Sequence, residues 1–91
     1  MLDRPVSCAR DRIVGIVVQI LAKHAIDRQV LPDDDLRTIG LSSLDMVSLM
    51  LSVEAEFELE LGENDITPAN FRSISTIEAL VTRLLLAKRE H

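Results

Sequence analysis

Residues 39–49, Ile39-Gly40-Leu41-Ser42-Ser43-Leu44-Asp45-Met46-Val47-Ser48-Leu49, set two adjacent serines between a glycine and a strongly apolar run. Serine is favoured at helix starts because its Oγ accepts a main-chain N–H that the first turn leaves unpaired. The pair therefore marks the beginning of a helix. From there Met46, Met50, Val53 and Phe57 recur at i, i+4, i+7 and i+11, one face of a helix ending at Phe57 or Glu58. Leu44, Val47 and Leu51 recur at i, i+3 and i+7 on a neighbouring face. One core does not need so wide an apolar circumference. Either this helix is central in a bundle, or its surplus stripe meets another protein.

Working outward, Ile13, Val17, Ile20 and Leu21 predict a first helix over 7–24. Residues 27–38 read as a loop, because Pro32 breaks a helix and Asp33-Asp34-Asp35 is turn material. Val30 and Leu31 are candidates to anchor that loop on the core. After Leu59 and Leu61, Gly62 ends the apolar pattern, and Thr67-Pro68 predicts a short helix over 68–71. Ser75-Thr76-Ile77-Glu78 has the form of a capping box, opening a last helix over 76–89 through Leu80, Val81, Leu84 and Leu85. Lys88 and Arg89 then suit the negative end of the helix dipole. No strand signal or repeat interrupts this order. The expected fold is all-α, a small bundle of three main helices plus one short helix, forming a single domain over residues 1–91.

Composition narrows the function. The chain is 47% hydrophobic but 2% aromatic, so its core is aliphatic, and stacking on nucleic-acid bases is disfavoured. Residues 33–65 hold ten acids (Asp33, Asp34, Asp35, Asp45, Glu54, Glu56, Glu58, Glu60, Glu63 and Asp65) against one base, Arg37. That middle segment repels phosphate backbones and attracts basic protein surfaces. As a plain alternative, it is a solvated face that keeps the protein soluble. The lone Cys8 excludes an internal disulfide framework, and near the N-terminus it reads as an inert small residue. The run 13–21 is too short to span a bilayer, and Met1-Leu2-Asp3-Arg4-Pro5 lacks the basic start of a secretory signal. A cytoplasmic monomer with neither nucleic acid nor membrane as partner is expected.

Enzymatic readings fail on chemistry. A serine hydrolase elbow needs glycine where Leu44 stands, and the only histidines are His24, read as a partner of the first helix's C-terminal dipole, and the terminal His91. A calcium loop through Asp33-Asp34-Asp35 lacks both the sixth-position glycine and the twelfth-position glutamate. No metal ligand set and no catalytic residue is assigned.

One side chain is enough for a cap, so a second serine is surplus. With Ser42 as cap, Ser43 lies exposed in the first turn, where a phosphate would meet unpaired N–H groups and the positive dipole end. Gly40 permits close approach of the chain, and Leu44 offers apolar surface alongside. The site suits a phosphodiester. An unmodified acidic helical interaction module would share the charge, the surplus stripe and the capping serines, and only a covalent mass gain separates the two.

The stretch 36–57 resembles the acyl carrier proteins, whose signature is a Gly-x-Asp-Ser-Leu segment opening the second helix. Here it reads Gly40-Leu41-Ser42-Ser43-Leu44-Asp45. The long first loop, the acidic Glu54-Ala55-Glu56-Phe57 helix end and Ser75-Thr76-Ile77 extend the resemblance over most of the chain. It implies that Ser43 accepts 4′-phosphopantetheine from coenzyme A through a phosphopantetheinyl transferase. It further implies that the arm's thiol holds acyl or aminoacyl cargo as a thioester for ligases or synthases acting in trans, with no catalysis by the carrier itself. Leu44, Val47 and Leu51 match partner-facing apolar positions, and Asp45, Glu54 and Glu56 match acidic ones. Two positions depart from the family pattern. Ser42 stands where an aspartate is usual, and Ser48 where another acid is common. Both remove charge near the site, so some partners of housekeeping fatty-acid synthesis are expected to bind poorly. Leu41-Ser42-Ser43 also looks like specialised carriers loaded with amino acids by freestanding synthetase-like ligases. Fatty-acid, polyketide, nonribosomal and aminoacyl cargo all stay open at this point.

Overall fold

A computed structural model describes the backbone of residues 5–89 and the side chains of 9–88. Among the described residues four helices follow one another: α1 (Pro5–Lys23), α2 (Leu36–Ile39), α3 (Ser43–Phe57) and α4 (Ile74–Arg89). Cys8 and His91, the first read as inert and the second as a poor base, lie outside the described side chains.

The helical periods place the core. From α1, Ile13, Val17, Ile20 and Leu21 are all buried, and they meet Met46, Leu49, Val53 and Phe57 of α3. Ile74, Ile77, Leu80 and Val81 of α4 close the third side, with Leu84 and Leu85 partly buried behind them. Leu49 belongs to neither apolar stripe in the sequence reading, yet it is fully buried. Val30 does anchor the first loop on the core, whereas Leu31 stays 52% exposed.

The short helix lies elsewhere than expected. Residues 68–71 form turns rather than a helix, with a single helix-like bond from the Phe71 N–H to the Thr67 carbonyl, 3.3 Å. The short helix is α2, inside and just beyond the segment read as loop. Asp35 caps it, its side chain accepting the Arg37 N–H, and Leu36 and Ile39 bury into the core. Its first N–H, that of Leu36, donates to the Arg72 carbonyl at 2.8 Å, tying α2 to the 62–73 loop. α2 ends at Gly40, whose φ of 132° suits glycine, and where a Cβ would come 2.7 Å from the Ile26 side chain.

The start of α4 also differs. Ser75 and Glu78 do not form the expected box. Instead the Ser73 N–H donates to Thr76 Oγ1 at 3.0 Å and the Thr76 N–H donates to Ser73 Oγ at 3.2 Å. The Ser75 N–H is used by the Pro32 carbonyl at 2.9 Å, and Glu78 pairs with Arg10 of α1 at 2.6 Å. At the far end of α4, Lys88 donates to the Glu58 carbonyl at 2.8 Å, and Glu58 is the left-handed C-cap of α3. Among the described residues no helix is long and apolar enough to cross a membrane.

Candidate functional site at the start of helix α3

Ser42 is the N-cap of α3. Its backbone is extended (φ −83°, ψ 176°) and its Oγ accepts the Asp45 N–H at 3.2 Å. The Asp45 carboxylate reaches back to accept the Ser42 N–H at 2.9 Å, which completes a capping box with aspartate in place of the commoner glutamate. It also accepts the Ser42 hydroxyl at 3.0 Å. With the cap satisfied by its neighbour, Ser43 begins the helix and stays exposed. Its hydroxyl sits where the first-turn N–H groups and the positive dipole end favour an attached anion.

Asp45 has a second partner that the sequence did not announce. His24, one residue past α1, brings its Nε2 to 3.0 and 2.9 Å from the two Asp45 carboxylate oxygens. The His24 hydrogen bond, then the Ser42 N–H, hold the Asp45 carboxyl down at about 2, against its ordinary 3.8. This contact bridges 21 positions of chain, and no local pattern could have pointed to it.

The second apolar stripe of α3 faces outward. Leu44 is 81% exposed, Val47 51% and Leu51 60%. The acids grouped with it are each engaged within the chain. Asp45 serves the cap and His24, while Glu54 accepts the Leu61 N–H at 2.8 Å. Glu56 pairs with Arg12, whose guanidinium also lies 4.6 Å from the Phe57 ring centre. These bonds orient the carboxylates without exhausting their acceptor sites.

Beside Ser43 opens a cleft of about 480 Å³ between α3 and the 66–72 loop. Met46, Met50, Ile66 and Phe71 are among its apolar walls, and Arg37 and Arg72 stand in its lining together with Ser43. Of the two arginines, only Arg37 carried a signal in the sequence, as the one base in the acidic segment. Among the described residues no group of three His, Cys, Asp or Glu side chains could hold a metal ion.

The Ser43 hydroxyl is thus exposed at the N-terminus of α3 with a partly apolar cleft alongside. A family model described as a phosphopantetheine attachment site matches residues 11–84. Aminoacyl carrier protein 1 of Bradyrhizobium diazoefficiens is 46% identical over 72 residues, covering 79% of this chain and 80% of that one. The cognate carrier protein in a crystal structure of Bradyrhizobium japonicum glycine:[carrier protein] ligase, solved with an analogue of glycyl adenylate, is 44% identical. It superposes with a TM-score of 0.70, covering 81% of this chain and 96% of that one. The glycylated carrier protein bound to the same ligase is 45% identical with a TM-score of 0.68, covering 78% of this chain and 96% of that one. By this family model and these relatives, the chain belongs to the phosphopantetheine-dependent carrier proteins, which hold cargo on that cofactor and catalyse nothing themselves.

Proposed function

We propose that Ser43 is the attachment point of 4′-phosphopantetheine and that the cargo is an amino acid loaded by a freestanding ligase. The observation that carries the first half is the division of labour between the two serines. Ser42 is consumed by its reciprocal bonds with Asp45, while the Ser43 hydroxyl is exposed on the first residue of α3. In the modification, Ser43 Oγ attacks the coenzyme A phosphorus that bears the pantetheine. A new P–O ester forms, the pyrophosphate P–O bond breaks and 3′,5′-ADP departs, while the transferase takes the hydroxyl proton. Activation of the hydroxyl belongs to the transferase. When attached, the arm supplies the thiol that holds cargo as a thioester.

The second half is supported by relatives of 44–46% identity that are aminoacyl carriers or partners of a glycine ligase. It is supported as well by the serines at 42 and 48, which lower the negative charge that partners of fatty-acid synthesis would meet. Leu44, Val47 and Leu51 form the contact stripe, with Asp45, Glu54 and Glu56 as its acidic surroundings.

The test is intact-mass measurement after incubation with a broad-specificity transferase and coenzyme A, followed by peptide mapping. One phosphopantetheine per chain, mapped to Ser43, is expected. An arm mapped to Ser42, or no mass gain where a control carrier is modified, overturns the assignment and leaves the unmodified interaction module. The modified protein is then offered glycine, ATP and a glycine:[carrier protein] ligase. A glycyl thioester is expected for wild type and its loss for Val47→Glu, whose melting should be unchanged. Acceptance of long acyl chains but of no amino acid would overturn the cargo.

A further inference from the structure

Asp45 matches an acidic position that meets basic partner surfaces, yet its side chain is only 14% exposed. Ser42 donates its N–H and hydroxyl to Oδ2 of that carboxylate, and His24 Nε2 lies 3.0 Å from Oδ1 and 2.9 Å from Oδ2. The His24 side chain is itself 46% exposed, so a cation approaching Asp45 from solvent meets the imidazole. Local structure puts the ring there. α1 closes on a Schellman turn, in which the Ile26 N–H donates to the Leu21 carbonyl and the Ala25 N–H to the Ala22 carbonyl, each at 3.0 Å. His24 is the cap of that turn. Ala25 takes the left-handed conformation (φ 59°) at the position where glycine is usual. Ile26 then packs against Gly40, where an added Cβ would come 2.7 Å from its side chain. The end of α1 is thereby seated on the approach to α3 at two points, Ile26 on Gly40 and His24 on Asp45. Among the described residues Asp45 is the one acid within ion-pair distance of the imidazole. Of the charged neighbours along the chain, Arg28 leans to Asp34 at 3.9 Å, and Lys23 and Asp27 are exposed.

We propose that His24 is a positioning residue for docking at Ser43, holding the Asp45 carboxylate when charged and yielding it to a basic side chain of the transferase when neutral. This rests on Ser43 as the attachment point. Histidine is the side chain that ordinarily changes charge between about pH 5 and 8. Imidazolium neutralises the carboxylate and makes a charge-assisted bond to it, which a partner's lysine or arginine has to displace. Neutral imidazole makes only an N–H···O bond and leaves the carboxylate its full charge to attract that cation. Asp45 stands two residues from Ser43, so an enzyme that reaches the Ser43 hydroxyl also meets whatever Asp45 presents. The α3 cap itself does not depend on the exchange, because Ser42 and Asp45 close it with bonds of their own. His24 therefore governs when Asp45 is offered to a partner, while the helix start stays as it is.

The experiment follows phosphopantetheine transfer from saturating coenzyme A to wild type, His24→Gln and His24→Lys from about pH 5.5 to 8, resolving kcat and the KM for the carrier. Thermal melting at each pH first establishes that all three are folded. Ratios between variants at one pH cancel the transferase's own titration. Glutamine keeps a neutral N–H donor, so wild type should match His24→Gln at the alkaline end. At the acid end the wild-type KM should exceed that of His24→Gln by about threefold, with kcat nearly unchanged. His24→Lys, charged throughout, should keep the higher KM at every pH. In an Asp45→Asn background the ratio of the carrier with His24 to the one with His24→Gln should no longer vary with pH. A ratio flat with pH in the Asp45 background, a Lys variant that follows the Gln variant, or a pH step that survives Asp45→Asn overturns the role of His24 while leaving Ser43 as the attachment site. Failure of wild type to gain the arm overturns both.

Discussion

Helices α3 and α4 open with the same chemistry and opposite consequences. Each begins with a reciprocal exchange between a serine and the residue three positions on, Ser42 with Asp45 and Ser73 with Thr76. Each also has a second serine nearby, Ser43 in one case and Ser75 in the other. At α4 the cap is sealed. Ser73 is 4% exposed, and the backbone of Ser75 is tied to Pro32 across the first loop. At α3 the cap is open. Ser42, Ser43 and Leu44 are all exposed, and only the Asp45 carboxylate turns inward, toward His24. Capping residues are chosen by the first turn of a helix, but whether the spare hydroxyl can be reached is decided by what packs over that turn. One helix start closes the core and the other offers a reaction site.

The largest effect that would break this contrast is all-or-none. Ser43→Ala should abolish phosphopantetheine incorporation by intact mass, whereas Ser75→Ala should leave it complete; modification surviving in Ser43→Ala would show that the open cap is not the site. Next, Ser73→Ala removes a buried hydroxyl and strands the Thr76 N–H, so a loss of about 2 kcal/mol in urea unfolding is expected. Ser42→Ala, at the exposed cap, should cost about 1 kcal/mol and still be modified. Equal losses at the two positions would mean that burial does not distinguish them.

The smallest effect concerns pH, because only the α3 cap contains an ionisable group. Asp45 titrates at about 2 in the folded chain, below its ordinary 3.8. A carboxylate with a depressed folded pKa stabilises the fold above its unfolded pKa, and that contribution is lost as pH falls from about 4 toward 2. His24→Gln removes the largest cause of the depression, so NMR titration of the Asp45 carboxyl should show an upward move. An unmoved titration would detach His24 from the cap. No comparable acid-dependent step should arise from Ser73 and Thr76, which carry no charge.

How far the fold was legible depended on the range of the interactions concerned. The stripes Ile13, Val17, Ile20, Leu21 and Met46, Met50, Val53, Phe57 each repeat within one helix, and all of those residues are in the core except Met50, which is partly buried at the cleft. The short helix was misplaced because α2 has only four residues, too few for a period to emerge. Its stability comes from burying Leu36 and Ile39 and from a bond to Arg72, 36 positions away. Thr67-Pro68 offered a better local start, but Phe71 is drawn into the core and the chain turns instead of coiling. At the site, Ser42 as cap and Ser43 as the surplus hydroxyl followed from local capping rules. His24 against Asp45 and the Arg37–Arg72 cleft did not, since each joins segments distant in sequence.

By itself the sequence determined the all-helical class, the apolar faces of α1, α3 and α4, and the pair of serines from which the α3 cap is built. Those features are periodic or confined to one turn, where neighbours along the chain are also neighbours in space. Only the tertiary structure decided where the short helix lies, which serine-rich helix start is left open, and which charges gather at Ser43. Each of those depends on contacts across dozens of residues, and burial forms them only when the whole chain folds together.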